Sequence, residues 1–532
     1  MAGGLLVRLG SRWHFAEDGL SDELLVLAAS SPLDQPLPDS LHSLFSARDP
    51  WRQRPDLASF TAAMGRRRAQ TRRDDLATPM QPPAPSVQLD VGTSESAGRG
   101  LFAPAVSPAG TVLLRERAFA ATLWPCAHET HCHHCLRPIL PPAAALRCDQ
   151  CTKRHRCVER YCSASCRDDA WRSGHAAECG TLLHEVAPRT VLLCLRAFIR
   201  GTTLAGHSAG LSSLLDLHDH AREMPPSRLS QLRLHAHVAA HATCGGGSRV
   251  GVSHAEETLY RLLRLALTNS FAVSERHGSG SSMSTSGDLA TGGTTEAIHL
   301  RRIGEALYPC ASLLNHACAP NAHVRHIGAN IEVRAAKALA PADEVCICYG
   351  PQAGYAPLED RRTALRTTHF FVCSCVACTS EAAVGKCAPV GARDRGADEE
   401  VVPTGRLHEC DALGLRERAQ SLDALARAAC ERGDFEQAAE HSADALALLR
   451  RVFPAGSPQI AHEQAKLAML LFNADDLTDH TRSKATASAL RDAATSLAKC
   501  EGEEDEEVAE LRRLENLICM GRRRGGPRDH FD

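Results

Sequence analysis

Between Cys132 and Cys179 the sequence sets out four closely spaced pairs of soft or borderline ligands: Cys132 and Cys135, Cys148 and Cys151, Cys162 and Cys166, then His175 and Cys179. Each short spacing lets one turn present two side chains to one metal, and eight such ligands make two tetrahedral zinc sites. One is expected to hold four cysteines and the other three cysteines and a histidine. A module this small buries little apolar surface, so zinc binding supplies its folding energy. Trp171 is expected to cover the helix that carries the last ligands, and Cys126, Cys157 and the nearby histidines are read as spectators.

The chain has 532 residues and 23 cysteines, and the cysteines bunch again between Cys373 and Cys378. Bunching of this kind does not suit a disulfide ladder spread through a large secreted fold. The first residues lack a charged segment followed by a long apolar one, so no secretory signal is expected. The best apolar run, Val191 to Ile199, contains Arg196 and falls short of the ~20 residues a bilayer span needs. The expected setting is reducing, cytoplasmic and/or nuclear, with no membrane association. A net charge of −3 and a pI near 6.8 leave no electrostatic footprint for nucleic acid as a primary partner. Length suggests about three domains.

Residues 1–86 mix helical fragments with Pro-rich breaks and read as a partly ordered segment, whose arginine run at 66–73 is taken as a solvated helix face. From 87 to 131 apolar and polar residues alternate around Gly and Pro, which predicts short strands. Gly98, Arg99 and Gly100 form a turn between two of them, where missing side chains would let backbone approach a ligand. The zinc finger follows at 132–179, and residues 180–265 carry helical periodicity. His218, His220, His235 and His237 in that insert lack partners at metal-ligand spacing. Leu267 to Val273 returns to strand character and carries Asn269, and the Gly/Ser/Thr-rich stretch His277 to Ala297 reads as a loop.

The second half of the β-rich region spans 266–372. Asn315 and His316 stand just before a Pro-containing turn, IEVRAA and EVCICYG read as strands, and Tyr349 closes the second of them. Cys373, Cys375 and Cys378, in a segment at 373–382, give three thiolates, one short of a closed structural zinc site. Cys318, beside Asn315 and His316, is the candidate fourth, and a shared zinc would clamp the tail over that turn.

The order GRG, eight-ligand finger, NSF, NHAC-x-PN, YG and C-x-C-x2-C resembles the SMYD (SET and MYND domain) family of protein lysine methyltransferases over roughly Gln88 to Glu381. Its LNHACAPN and CYGPQ wording is most similar to the branch that also carries tetratricopeptide repeats. The resemblance implies a protein-lysine N-methyltransferase in which S-adenosylmethionine is bound by Gly98, Arg99, Gly100, Asn269, Asn315, His316, Tyr349 and Phe371. It implies a target lysine entering by a narrow channel, with Tyr349 as the catalytic residue. It further implies protein or peptide partners on the MYND finger. Two positions depart from the family pattern: Ala317 replaces a usual Ser, and His369 stands where a channel tyrosine is common. The alternative reading is a catalytically weak or inactive scaffold that binds partner proteins through the finger and the helical repeats.

Residues 383–407 read as a linker and 408–520 as helices. Phe435, Ala439, Ser442, Leu446, Leu449 and Phe453 form one stripe at three- and four-residue steps, and Ser457 and Pro458 offer an N-cap and first-turn proline to the next helix, which carries Ile460, Leu467 and Leu471. Paired helices of this length resemble tetratricopeptide repeats and add a second surface for protein partners. The expected fold class is therefore α+β: a β-rich SET domain split by a MYND finger and a helical insert, then an all-α tail, in a monomer with three zinc ions.

Overall fold

The computed structural model describes residues 6–9, 12–15, 89–94, 97–141, 144–148, 150, 159–179, 188–203, 207–244, 249–276, 300–384, 409–475 and 480–524. The arginine run at 66–73, the stretch 277–297, most of the linker at 383–407, Cys151 and Cys157 lie outside the described residues.

Strands β1 (Leu6–Leu9) and β2 (Arg12–Phe15) pair as a hairpin. The β domain opens with β3 (Asp90–Ser94), β4 (Gly98–Phe102), β5 (Val112–Arg117) and β6 (Ala120–Leu123). The finger contributes β7 (Leu146–Arg147), β8 (Arg160–Tyr161) and α1 (Ala164–Ala170), which runs on through a wide turn at Trp171–His175 to Glu178. Ser163 caps α1 by accepting the Cys166 amide at 3.1 Å, which satisfies one orphan donor of the first turn.

Among the described residues the insert contributes four helices: α2 (Arg189–Thr203), α3 (Ser208–Leu215), α4 (Pro226–Cys244) and α5 (Arg249–Asn269). Leu193, Phe198 and Ile199 of α2 meet Leu259, Leu263 and Ala266 of α5 in a core that also takes Phe119 from the β domain. The predicted strand at Leu267 to Val273 is half correct. Helix α5 continues to Asn269, because its apolar face still has core to cover, and strand begins only at β9 (Phe271–Arg276).

The β domain then resumes with β10 (Leu300–Leu307), β11 (Asn315–His316), β12 (Ala322–Ile327), β13 (Asn330–Ala335) and β14 (Cys346–Ile347). Two three-stranded antiparallel sheets, ordered β6-β10-β9 and β12-β13-β5, enclose one core with the β3-β4 hairpin. A short parallel pair joins β11 to β14, with Asn315 opposite Cys346. Helices α6 (Leu358–His369) and α7 (Val376–Val384) close the domain, and α7 carries the helix through Cys378 into the stretch read as linker.

Strand β13 explains how the tail attaches. Side chains alternate across a strand, and Ile331, Val333 and Ala335 enter the domain core. Glu332 and Arg334 on the opposite face are buried too. Their cover involves the C-terminal helices α8 (Glu409–Glu431), α9 (Phe435–Val452), α10 (Pro458–Ala474), α11 (His480–Glu501) and α12 (Glu506–Arg524). Each of these packs on the next in sequence. The stripe on α9 is buried as expected, Phe435 partly so, and Ser457 caps α10 from Pro458 onward. The approach is tight: a Cβ on Gly456 would stand 2.3 Å from the Ala336 carbonyl oxygen. His323 Nε2 lies 3.0 Å from the Cys500 carbonyl. No described helix is long and apolar enough to cross a membrane.

Candidate active site and metal centres

Four sulfurs converge where the spacing placed the first pair of ligands. Cys132, Cys135, Cys162 and Cys166 offer donor atoms all within 4.8 Å of one another, with Cys135 to Cys162 at 3.6 Å and Cys162 to Cys166 at 3.5 Å. A tetrahedral zinc with Zn–S near 2.3 Å implies an S···S edge of about 3.8 Å, so this set fits the ion. The ligand pairs interleave: the first joins the third, while Cys148 joins His175 and Cys179. Cys148 and Cys179 are 3.9 Å apart, and the remaining expected ligand, Cys151, is outside the described residues. Trp171 packs on His175 at 6.0 Å, edge to face, as expected of a covering side chain.

The third cluster is Cys318, Cys373, Cys375 and Cys378. Cys318 lies 3.4 Å from Cys378 and 3.9 Å from Cys373, which fits a closed tetrahedral zinc site on the same grounds. Buried Arg361 of α6 anchors the segment. Its Nη2 donates to Glu381 on α7 at 2.6 Å and reaches Cys378 Sγ at 3.9 Å, and its Nη1 donates to the Ala356 carbonyl at 2.6 Å.

His316 couples this cluster to Tyr349. Its Nδ1 accepts the Tyr349 amide at 3.0 Å, while Nε2 faces Cys318 Sγ at 3.3 Å. The first bond fixes the tautomer, so Nε2 carries the proton and donates to the sulfur. Both ring nitrogens are spent inside the protein. The Tyr349 hydroxyl donates to the Leu314 carbonyl at 2.5 Å. Burial, with Cys346 and Glu344 nearby, raises its pKa, which keeps it a neutral phenol. Tyr349 stands two residues beyond β14 rather than in the strand.

Around Tyr349 the rings form a box. His369 lies 4.9 Å away, tilted 30°, and Phe371 lies 6.4 Å away, perpendicular to it. Phe371 also meets His316 at 6.0 Å. Burial lowers the His369 pKa to about 4, helped by His316 and His220, so the imidazole is an uncharged aromatic wall near neutral pH. Its backbone ends α6, and Phe370 after it is left-handed at φ 61°, which terminates the helix and turns Phe371 toward Tyr349.

Gly98, Arg99 and Gly100 do not make a turn between strands; they are the start of β4, opposite Ser94, Thr93 and Gly92. Only Gly98 needs left-handed backbone, at φ 75°, and the strand register absorbs the rest. The Arg99 carbonyl accepts Asn315 Nδ2 at 3.0 Å, and the same nitrogen donates to Glu344 at 2.7 Å. A Cβ on Gly100 would fall 2.7 Å from Glu344 Oε1 and 2.8 Å from Asn315 Nδ2. Asn269, at the end of α5, donates its Nδ2 to Leu265 O at 3.0 Å and His218 O at 3.3 Å. The Oδ1 atoms of Asn269 and Asn315 accept no hydrogen bond among the described residues. They are the free acceptors of the site.

Sequence reasoning missed three supports. Glu344 fixes the Asn315 amide. The loop after α3 joins the site, since the Asp216 carbonyl accepts from Arg99 and the His218 carbonyl from Asn269. Arg196, read only as an interruption in an apolar run, binds Glu178 at 2.7 Å, Glu159 at 2.6 Å and the Ala121 carbonyl at 3.0 Å. Glu159 also contacts His175 Nδ1 at 2.7 Å, orienting a metal ligand from the second layer. A lone arginine in an otherwise apolar helix was the available signal for that network.

A family model described as SET domain matches residues 98–350. Histone-lysine N-methyltransferase SMYD3 of Mus musculus is 25% identical over 305 residues, covering 56% of this chain and 62% of the relative. Protein-lysine N-methyltransferase SMYD4 of Danio rerio is 24% identical over 396 residues, covering 56% of this chain and 50% of its own. Histone-lysine N-methyltransferase Smyd1 of Mus musculus is 25% identical over 309 residues, covering 54% and 55%. The chain thus aligns with less than two thirds of the length of each. The matched span holds the GRG strand, the interleaved finger, Asn269, Asn315 and Tyr349, so the part of the chain that carries the candidate site is the part that is similar to a SET domain and to these SMYD proteins.

Proposed function

We propose that the protein is an S-adenosylmethionine-dependent protein lysine methyltransferase. The observation that carries the reading is the ring box around Tyr349 beside two asparagines whose amide nitrogens are occupied and whose oxygens are free. That donor set suits a cationic, amine-bearing cofactor: Asn269 and Asn315 would accept from it, and the aromatic faces of Phe371 and Tyr349 attract positive charge. Gly98, Arg99 and Gly100 would offer backbone, and His316 would act by holding Tyr349 in place. When bound, S-adenosylmethionine supplies an electrophilic methyl group on a sulfonium.

The chain's own residues then have three tasks. The box excludes water and desolvates the incoming lysine, whose free pKa is ~10.4, favouring the neutral amine. The Tyr349 hydroxyl donates its hydrogen bond to Leu314 O and keeps its lone pairs to accept from an amine N–H, which orients the nucleophile for in-line transfer. His369 continues the aromatic wall as an imidazole and adds no charge to the path. The substrate is a protein with an accessible lysine, recognised in a monomer whose finger and C-terminal helices offer surfaces to other proteins.

The test is calorimetric binding of S-adenosylmethionine to the zinc-loaded chain, with transfer of labelled methyl to lysate proteins. Tyr349→Phe is expected to reduce turnover by roughly 10²-fold, the order lost with one positioned polar group, while zinc content stays unchanged. Cofactor binding without transfer to any protein would favour the scaffold reading. Failure to bind the cofactor would remove the proposal.

A further inference from the structure

A second polar site opens in the seam between the finger and strands β5 and β6. A cavity of about 60 Å³ is lined there by Arg117, Arg200 and His134 together with Phe119, Ser173 and Arg196. Its three arginines are treated differently by the fold. Arg196 is neutralised by two carboxylates, whereas Arg117 and Arg200 have no acidic partner among the described residues. Arg117 is exposed and, among the described residues, its side chain bonds only to His134 Nε2, at 2.7 Å. Arg200 donates to the Phe119 carbonyl at 3.2 Å and contacts His207 Nε2 at 3.4 Å. A guanidinium carries five donors, so most of theirs remain unspent.

Two like charges in one seam repel. Burial and the nearby Arg117 together lower the Arg200 pKa. The four-thiolate zinc site close by carries a formal charge of about −2 with its ion in place, which eases that repulsion at long range. Its sulfurs make no hydrogen bond to either arginine among the described residues, so the short-range demand for an oxygen acceptor is unmet.

We propose that this seam is an oxyanion site that takes a phosphate group between Arg117 and Arg200. Planar guanidinium forks match phosphate oxygens bidentately, and three terminal oxygens can serve two forks where one carboxylate would be used up by a single fork. At about 60 Å³ the space is several times the roughly 10–15 Å³ that a cavity needs to hold a single water. Among the described residues the only lining carboxylate, Glu159, is committed to Arg196 and His175. The site is separate from the Tyr349 box and does not depend on methyl transfer.

Calorimetric titration of the zinc-loaded full chain with inorganic phosphate, at constant ionic strength set with chloride, tests it. Saturable binding is expected, weakened about tenfold or more in Arg117→Gln and in Arg200→Gln, the scale of one charge-assisted hydrogen bond. A neutral peptide carrying one phosphoserine, compared with its unphosphorylated form, identifies the source: tighter binding than inorganic phosphate assigns a protein-borne phosphate, weaker binding the free ion. Absence of saturable binding to both phosphate and phosphopeptide overturns the proposal, as does unchanged affinity in Arg117→Gln. That variant changes an exposed side chain, so it decides the matter even if Arg200→Gln loses zinc.

Discussion

Two seams hold the β domain to its neighbours, and they solve the same problem with opposite charge. At the finger, one guanidinium, Arg196, sits between two buried carboxylates, Glu159 and Glu178. At the C-terminal helices, one buried carboxylate, Glu332, sits among three guanidiniums, those of Arg115 at 2.5 Å, Arg325 at 3.0 Å and Arg334 at 2.6 Å. The first network ends on a metal ligand, through Glu159 and His175. The second ends in solvent, through Arg325 and Glu504. The finger is therefore tied to the domain by a chain of oriented groups that terminates in zinc, while the helices are tied by a hub whose outer bonds water can replace.

The largest effect is expected at the hub with the fewest counter-charges. Arg196→Met would leave Glu159 and Glu178 buried without a cation, and removing one partner of a buried pair costs about 3–5 kcal/mol. Two carboxylates that lose the same cation put this variant at the upper end. Denaturant unfolding should show the loss, accompanied by release of the zinc bound through His175, and adding Glu178→Gln to Arg196→Met should restore part of it. If zinc stays bound with full affinity in Arg196→Met, the network does not support the metal site.

Glu332→Gln should cost somewhat less, about 3 kcal/mol, because Arg325 retains other carboxylates, Glu501 and Glu504. The variant also carries a pH signature. Burial by itself would raise the Glu332 pKa, but the Arg115 hydrogen bond and the charges of Arg325 and Arg334 override it and hold it below 4.5. A depressed carboxyl contributes stability above its unfolded pKa and loses it as pH falls through the folded value. The parent should therefore lose stability more steeply than Glu332→Gln below about pH 4.5. Equal slopes would show that the hub does not titrate.

The same contrast explains what the sequence made legible. The finger's ligands were readable because metal chemistry imposes short, regular spacings, and Cys318 followed because three thiolates need a fourth. The C-terminal stripe and the Ser457 cap were readable because helical periodicity is local. Arg196 and Glu332 were not, because a buried charge looks like any surface charge until the fold brings up partners such as Glu178, 18 residues from Arg196, and Arg115, 217 residues from Glu332. Asn269 was placed in a strand because NSFAV has β-rich composition, yet helix α5 reached that far to cover apolar surface of the insert. The GRG segment was read as a turn because glycine usually marks one, and β3 pairing extended the strand across it instead.

The smallest effect separates the hub from its rim. Arg325 Nη2 meets Glu504 at 2.7 Å, but the Glu504 side chain is 60% exposed, whereas Glu332 is 1% exposed. An exposed pair gains little Coulomb energy in water and is screened by salt, so a double-mutant cycle on Arg325 and Glu504 should give a coupling of about 0.2–1 kcal/mol. The same cycle on Arg325 and Glu332 should give several times more and resist salt, since both partners are shielded from solvent by β13 and the helices above it. A Glu504 coupling as large as that of Glu332 would mean the outer carboxylate, and not the buried hub, fixes the helices on the β domain.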